Sequence, residues 1–301
     1  MYHGIINIYK EAGYTSHDVV AKLRGILGQK KIGHTGTLDP DATGVLPVCL
    51  GVGTRLCDML TDENKEYVAA LRFGITTDTQ DLSGTVLSER EVTVTEERAA
   101  EIAGGFLGTY EQIPPMYSAL KVNGRKLYEL AREGREVERK ARTVRIEELE
   151  ILRVELPVLR MRVVCSKGTY IRTLCDDIGK KAGCGAAMET LQRTRVGRFR
   201  IEEALKLAEV EEAVAAGRLE TCIVPVEDMF SGLKCITVLK DYGKLLENGN
   251  CLALRMTDAA ENPGDGEQVR VYHEKDSFYG IYRYEKRTET FYPVKMFIVP
   301  K

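Results

Sequence analysis

Residues 30–47, KKIGHTGTLDPDATGVLP, suit neither a helix nor a long strand. Three glycines (Gly33, Gly36, Gly44) and two prolines (Pro40, Pro47) interrupt the stretch. Glycine admits left-handed turns, and proline pushes the residue before it toward extended geometry. The chain is therefore committed here to a stiff loop, with two lysines at its entrance and one carboxylate, Asp39, directly ahead of Pro40. A carboxylate held in this way can serve as a nucleophile, a general base or a metal ligand. Asp-Pro is equally the makeup of an ordinary turn. Metal ligation has the least support, because Asp41 is the one further acid nearby. Glycosidase chemistry needs a second, spaced carboxylate, and none is evident.

The flanking segments have clear periods. INIYK reads as a short strand. TSHDVVAKLRGILG reads as a helix capped by Thr15 or Ser16, with Val19, Val20, Leu23, Ile26 and Leu27 on one face and Gly28 after its end. VLPVCLG is a buried strand. KEYVAALRFG alternates, with Tyr67, Ala69, Leu71 and Phe73 on one side. DLSGTV is a turn, and TEERAAEIAGGFLG a helix. Pro114 and Pro115 break any helix through EQIPPMYSAL. RTVRIEELEILRV and VLRMRVVCSKG are two strands, YIRTLCDDIGKKAG is a helix ended by Gly183, and a further helix is expected over about 202–216. VPVEDMFSGLK reads as a linker. From Cys235 the texture changes to short strands and turns (CITV, CLALRM, QVRVYH, FYGIYRYE, PVKMFIV), a small all-β unit.

Bulk properties narrow the function classes. The 301 residues suffice for one large domain and a small one. No apolar run approaches the roughly 18 residues of a membrane span, and the N-terminus lacks the layout of a signal peptide, so a cytoplasmic protein is expected. The eight cysteines are scattered without a C-x-x-C pair, and the four histidines lack i, i+4 pairing. Reduced thiols and no metal site are expected. The net charge of −2 hides an uneven distribution. Residues 121–145 hold nine bases against four acids, and 191–200 hold four arginines and no acid. Either cluster is a basic surface for nucleic acid or a solvated face.

GHTGTLDPDATGVLP closely resembles the active-site loop of pseudouridine synthases of the TruB family, which make pseudouridine 55 in the T-loop of bacterial tRNA. Four more segments resemble the family in its order: KEYVAALRFGITTDTQDLSG, QIPPMYSALKVNGRKLYELAREG, CSKGTYIRTLCDDIG and LQRTRVGRF. The C-terminal β unit is similar to the PUA domain of bacterial members. The resemblance implies an α+β fold, with a mixed, largely antiparallel sheet and flanking helices, plus a C-terminal PUA-like domain. It implies a catalytic domain over 1–230, with an RNA-contacting insertion at about 114–142, and an RNA-binding domain over 235–301. Asp39 would be the nucleophile, Tyr67 would stack on the target base, Tyr170 would lie by the base and assist proton removal from C5, and Arg172 would pair with Asp39. His34 would help unstack the RNA loop and Leu191 would line the pocket. Lys10 would be a supporting or RNA contact, and Lys121, Arg125 and Lys126 would meet RNA from the insertion. One departure is Glu11 after Lys10, where the family usually has proline.

The chemistry suits these residues. Pseudouridine formation exchanges a C1′–N1 bond for a C1′–C5 bond in the same nucleotide, so no redox cofactor or energy source is needed. The expected partner is the tRNA T-arm, with no membrane and no obligatory protein partner. Two alternatives stay open: the catalytic subunit of a guide-RNA particle, and a tRNA-binding or RNA-folding protein.

Overall fold

Two-residue alternation, broken by a few capped helices, sets the architecture. In the computed structural model, which describes residues 1–259, 263–273 and 277–298, β1 (Gly4–Lys10) turns Ile6 and Ile8 to one layer and Ile5 to another. Thr15 caps α1 (Ser16–Leu27): its hydroxyl accepts from the Asp18 amide at 3.1 Å, and Asp18 accepts from the Thr15 amide at 2.9 Å. Strands β2 (Ile32–His34) and β3 (Thr43–Leu50) bracket the acid-bearing loop. Helix α2 (Cys57–Thr61) leads to β4 (Lys65–Phe73). A polar loop joins β5 (Ile75–Thr77) to β6 (Val86–Glu89), and α3 (Glu96–Gly104) and β7 (Gly108–Gln112) follow. The inserted segment forms a small hairpin, β8 (Lys121–Val122) and β9 (Arg125–Lys126), and then α4 (Leu127–Arg132). Long β10 (Arg142–Glu155) and β11 (Val158–Cys165) precede α5 (Ile171–Ala182), β12 (Ala186–Val196), β13 (Phe199–Arg200), α6 (Leu207–Ala215) and β14 (Ile223–Val224).

Among the described residues ten strands join in one sheet, in the order β14-β1-β3-β12-β4-β11-β10-β7, with β13 on β12 and β2 on β3. The β12–β3 pairing is parallel and the others are antiparallel. The architecture is thus α+β with a mixed, largely antiparallel sheet. Tyr67, Ala69, Leu71 and Phe73 of β4 and Leu159, Met161 and Val163 of β11 pack against Ile171, Leu174 and Ile178 of α5 and Ala99, Ile102 and Ala103 of α3. Helices α1 and α6 cover Ile6, Ile8, Leu46 and Val48. The asymmetric apolar faces of the helices therefore dictate which side of each strand is dry.

A second sheet, in the order β15 (Lys234–Val238), β17 (Gln268–His273), β18 (Ser277–Glu285), β19 (Thr290–Met296), β16 (Leu252–Ala253), builds the C-terminal unit, which also holds α7 (Gly243–Glu247). The last three residues of the expected 235–301 unit lie outside the described residues.

Three expectations need correction. Helix α6 begins at Leu207, later than the expected 202, because Leu205 is held extended against β1: its amide donates to the Asn7 carbonyl at 2.9 Å, and its carbonyl accepts from Tyr9 at 2.8 Å. The stretch read as a linker is packed. Val224 pairs with Ile5, and Val226 and Phe230 are buried with Ile281 and Phe297 of the C-terminal unit. Only Leu252 and Ala253 of CLALRM are strand, and Leu254–Met256 form a 3-10 turn. In each case a long-range contact overrides local propensity.

The parallel β3–β12 contact depends on one glycine. Gly44 has φ +107, and a Cβ built there would lie 2.1 Å from the Arg193 carbonyl oxygen. Gly44→Ala is expected to lower stability by about 1–2 kcal/mol from the backbone conformation alone, and by more once β3 shifts from β12. Urea denaturation followed by circular dichroism measures the loss, and an unchanged midpoint would refute this account of the contact.

Candidate active site around Asp39

The acid loop is held by its backbone. Leu38 donates its amide to Ser16 Oγ at 2.9 Å, Thr35 donates to the Pro47 carbonyl at 3.2 Å, and Ala42 donates to the Asp39 carbonyl at 3.1 Å. Leu38 and Ala42, on either side of the acid, are 3 % exposed and belong to the core under α5. The loop tip thus has apolar anchors on both sides of a polar residue. Asp39 itself stays reachable: its side chain is 35 % exposed, against 7 % for Arg172.

Arg172, in the first turn of α5, grips Asp39 with both arms of its fork. Nε lies 2.9 Å from Oδ2, and Nη2 donates to Oδ1 at 3.2 Å. The remaining donors reach two other segments. Nη1 donates to the Thr79 carbonyl at 3.0 Å and lies 3.5 Å from Asp81 Oδ2, while Nη2 also donates to the Tyr117 carbonyl at 2.8 Å. One guanidinium therefore ties the acid loop, the polar β5–β6 loop and the base of the insertion. Partial burial raises the pKa of Asp39, Arg172 pulls it down, and Asp81 adds to the rise.

The polar loop is shaped to meet that fork. Gln80 sits at φ 65, a left-handed position that non-glycine residues rarely adopt. Its amide nitrogen donates to Asp176 at 2.9 Å, and its amide oxygen accepts from the Thr173 hydroxyl at 2.7 Å. Asp81 accepts from Thr79 Oγ1 at 2.7 Å and from the Ser83 amide at 3.1 Å. Asp81 is the second carboxylate that the sequence did not reveal. It lies forty-two positions from Asp39, so no spacing argument joins them.

Tyr67 and Tyr170 flank the acid. Tyr67 is 9 % exposed on β4, paired across the sheet with Val163 and Arg193. Tyr170 precedes α5, where Gln112 clamps its backbone: the Tyr170 amide donates to Gln112 Oε1 at 2.8 Å, and Gln112 Nε2 donates to the Tyr170 carbonyl at 3.0 Å. Burial is the main cause that pushes both phenols up, and Asp39 adds to each rise. Leu191 is half-buried on β12 beside Ala69 and packs against the same core. His34 accepts the Gly36 amide on Nδ1 at 3.3 Å, and burial, then Arg193, lower its pKa. Its ring is therefore neutral near pH 7, with the proton on Nε2.

Lys10 is placed differently from an RNA contact. Its side chain is fully buried, and the ammonium donates to the Pro40, Ala42 and Glu11 carbonyls at 2.8, 2.7 and 3.1 Å. Burial, only partly offset by Asp41 and Asp39, lowers its pKa to about 8. Lys10 is a strut beneath the loop. Glu11 does not disturb it, since it is the Glu11 backbone carbonyl that meets the ammonium. Lys121, Arg125 and Lys126 stand apart from Asp39 on the β8–β9 hairpin. Arg125 is paired with Glu133, and the Lys126 ammonium lies 5.3 Å from the Tyr128 ring centre. The basic stretch 191–200 is divided: Arg193 is 1 % exposed, Arg195 is half-buried, and Arg198 and Arg200 are exposed. The signal for this was the strand period: two residues past Leu191, Arg193 must face the same way.

Among the described residues no three His, Cys, Asp or Glu side chains gather as a metal-holding set. No helix there is long and apolar enough to cross a membrane. The arrangement offers a reachable carboxylate in a bidentate fork, two aromatic rings beside it, and an exposed basic hairpin at one side.

Comparison with known proteins agrees with this geometry. Residues 24–171 match the TruB family pseudouridylate synthase (N terminal domain), and residues 172–231 match the tRNA pseudouridylate synthase B C-terminal domain. A tRNA pseudouridine synthase B of Lachnoclostridium phytofermentans is 53% identical over 98% of this chain and 100% of its own length. That of Alkaliphilus oremlandii is 42% identical over 99% of each. Among solved structures, a Cbf5-Nop10-Gar1 complex is similar at TM-score 0.72 and 28% identity, covering 98% of this chain and 85% of that one. An H/ACA RNP bound to a substrate RNA containing 2′-deoxyuridine gives 0.70 and 25%, over 99% and 86%. The α+β sheet with its C-terminal β unit is therefore the pseudouridine synthase fold, and the chain belongs to the TruB family of pseudouridylate synthases.

Proposed function

We propose that this protein isomerises uridine to pseudouridine at position 55 in the T-loop of tRNA, with Asp39 as the nucleophile on a flipped-out uridine. The observation that carries the reading is the reachable Asp39 carboxylate held bidentate by buried Arg172. Such a fork fixes both oxygens and favours the ionised form, which the nucleophile needs and which burial opposes. The carboxylate bonds covalently to the nucleoside and is returned unchanged. C5 loses a proton and N1 gains one, so the reaction balances without a cofactor.

Extrusion of the uridine costs roughly a few kcal/mol, and a single-stranded loop lowers that cost. Tyr67 and Tyr170 supply ring faces for the extruded base, with Leu191 at the pocket wall. Both phenols are raised, so Tyr170 meets the base as a neutral phenol and serves C5 deprotonation as a relay. His34, neutral on the loop edge, wedges the unstacked strand. The insertion over 114–142 closes on the T-arm through Lys121, Arg125 and Lys126, by phosphate contacts that position without reading sequence. Residues 1–230 are the catalytic domain and 235–301 a PUA-like RNA-binding domain. The protein works in the cytoplasm without an obligatory protein partner. The relatives at 42–53% identity support a stand-alone enzyme over a guided particle.

Purified chain alone is expected to release tritium from C5 of the T-loop uridine in an unmodified T-arm stem-loop. Asp39→Asn is expected to bind the same RNA and release none. A folded Asp39→Asn protein that turned over would remove the nucleophile assignment, and activity only with added guide RNA would favour the particle.

The pH dependence follows from the sign of the shift. Asp39 must be ionised to attack and its pKa is raised. Activity is thus lost as pH falls through a value above the ordinary ~3.9 of aspartate. Arg172→Lys keeps the charge but loses the fork, so the acid limb of log kcat/KM should move to higher pH. A limb that stays in place in that variant would argue against the pairing.

Replacing Lys121, Arg125 and Lys126 together by alanine should weaken RNA binding. It should also flatten its salt dependence by ~0.7–0.9 log unit per decade of salt for each phosphate left without its cation. An unchanged affinity and slope would take the hairpin out of the interface.

A further inference from the structure

Beneath the acid loop lies a second arginine. Arg193 is 1 % exposed and has no carboxylate in ion-pair range among the described residues; Glu66, next to its cross-strand partner Tyr67, pairs with Arg162 and Arg195 instead. Its charge is met by carbonyls. Nε donates to the Val45 carbonyl at 2.7 Å, and Nη2 donates to the Gly36 carbonyl at 3.2 Å. Gly36 and Val45 are the two ends of the stretch that carries Asp39 at its tip. The same guanidinium lies close enough to the Tyr67 hydroxyl to oppose the rise that burial gives its pKa. In the sheet, Arg193 is the cross-strand partner of Tyr67 on one side and of Gly44 on the other.

A residue needed only for packing would not be an arginine here. Burying an unpaired charge is expensive, and an apolar side chain of similar volume is often as stable or more so. This charge also has basic neighbours: it lowers the pKa values of Lys10, Lys65 and His34. What a guanidinium supplies that an apolar group does not is several donors in one fixed plane. Here those donors reach the two loop ends, from the strand position directly across from Tyr67.

We infer that Arg193 is a positioning residue, closing the base of the acid loop and setting the Tyr67 ring against the Asp39 carboxylate. The inference rests on the proposed reaction. Arg172 fixes the tip of the loop and Arg193 fixes its base, so the distance from the carboxylate to the stacked uracil is set from both ends.

The test compares wild type, Arg193→Lys, Tyr67→Phe and the double variant. Single-turnover tritium release from the T-arm stem-loop at saturating protein gives the rate. Filter binding gives RNA affinity, and thermal melting reports folding. Lysine offers one point of donation where arginine offers a fork. Arg193→Lys is therefore expected to release label about 10- to 100-fold more slowly, the cost of misplacing reacting groups by about 1 Å. RNA affinity should be unchanged. Tyr67→Phe keeps the ring and removes the hydroxyl that lies close to Arg193, so it should also slow the rate without weakening binding. In the double variant the two losses should be less than multiplicative, because they act through one contact.

A folded Arg193→Lys protein with the wild-type rate would overturn the inference. So would one whose rate is normal at saturation but whose RNA affinity has dropped, or fully multiplicative losses in the double variant. If Arg193→Lys does not fold, Tyr67→Phe decides: a wild-type rate there overturns the inference. Wild type that binds the stem-loop and releases no label would fail the proposed reaction itself, and this inference with it.

Discussion

The contact on which the rest of the site depends is the Arg172 fork. A guanidinium has a fixed plane of donors, and this one is shared among Asp39, Thr79, Asp81 and Tyr117. These residues lie on three segments far apart in the chain. Asp81 is also bridged to Met188 of β12, and the fork adds the link from that loop to Asp39 and Tyr117. The first turn of α5 provides the rigid base, and the Leu174–Ile178 face of that helix anchors it in the core. Removing the carboxylate would leave the buried Arg172 charge without its main anionic partner, with solvent reaching only the Asp39 side of the pair.

A second theme is charge buried against backbone. Lys10 and Arg193 face carbonyls of the loop from below, and Lys65 faces the Thr61 and Glu63 carbonyls at 2.5 Å each. A loop of glycines and prolines has few of the regular partners that helices and sheets give to carbonyls, and an unmet buried carbonyl is costly. Cationic side chains satisfy several at once. Desolvation then brings Lys10 and Lys65 down to about 8. The floor under the acid is electropositive, which opposes the raising effect of burial on Asp39.

Much of this was legible in the sequence and some was not, for physical reasons. Alternation placed Tyr67, Ala69, Leu71 and Phe73 on one dry face, and caps marked both ends of α1. The loop with Asp39 stood out because its glycines and prolines exclude regular structure. The Arg172 pairing came from a family resemblance, since the partners lie on different segments. Asp81 and Gln80 were not found because their importance depends on a turn folded back onto α5, and no local period encodes that. Arg193 was misread through composition: an arginine among arginines looks like surface until the strand period is followed from Leu191. The supposed linker was misread because short polar-apolar mixtures look alike whether they pair with a strand or not. Val224 pairs with Ile5 only because β1 leaves that edge free.

That last feature bears on how the molecule, on the proposed reading, would meet its substrate. Phe230, within the supposed linker, packs with its ring centre 6.2 Å from Phe278 and 5.8 Å from Phe297, and Phe278 stacks on Phe297 at 5.7 Å. Three aromatic rings join the C-terminal unit to the 3-10 turn Val226–Phe230 that follows β14. Under the proposed function, a weld in place of a hinge would make the two units the jaws of a caliper with a set gap. On the proposed reading, an RNA gripped by both jaws is gauged by its length and bend before any base is tested. Selection of one uridine among many would then begin with geometry along the whole arm, and the pocket would finish it.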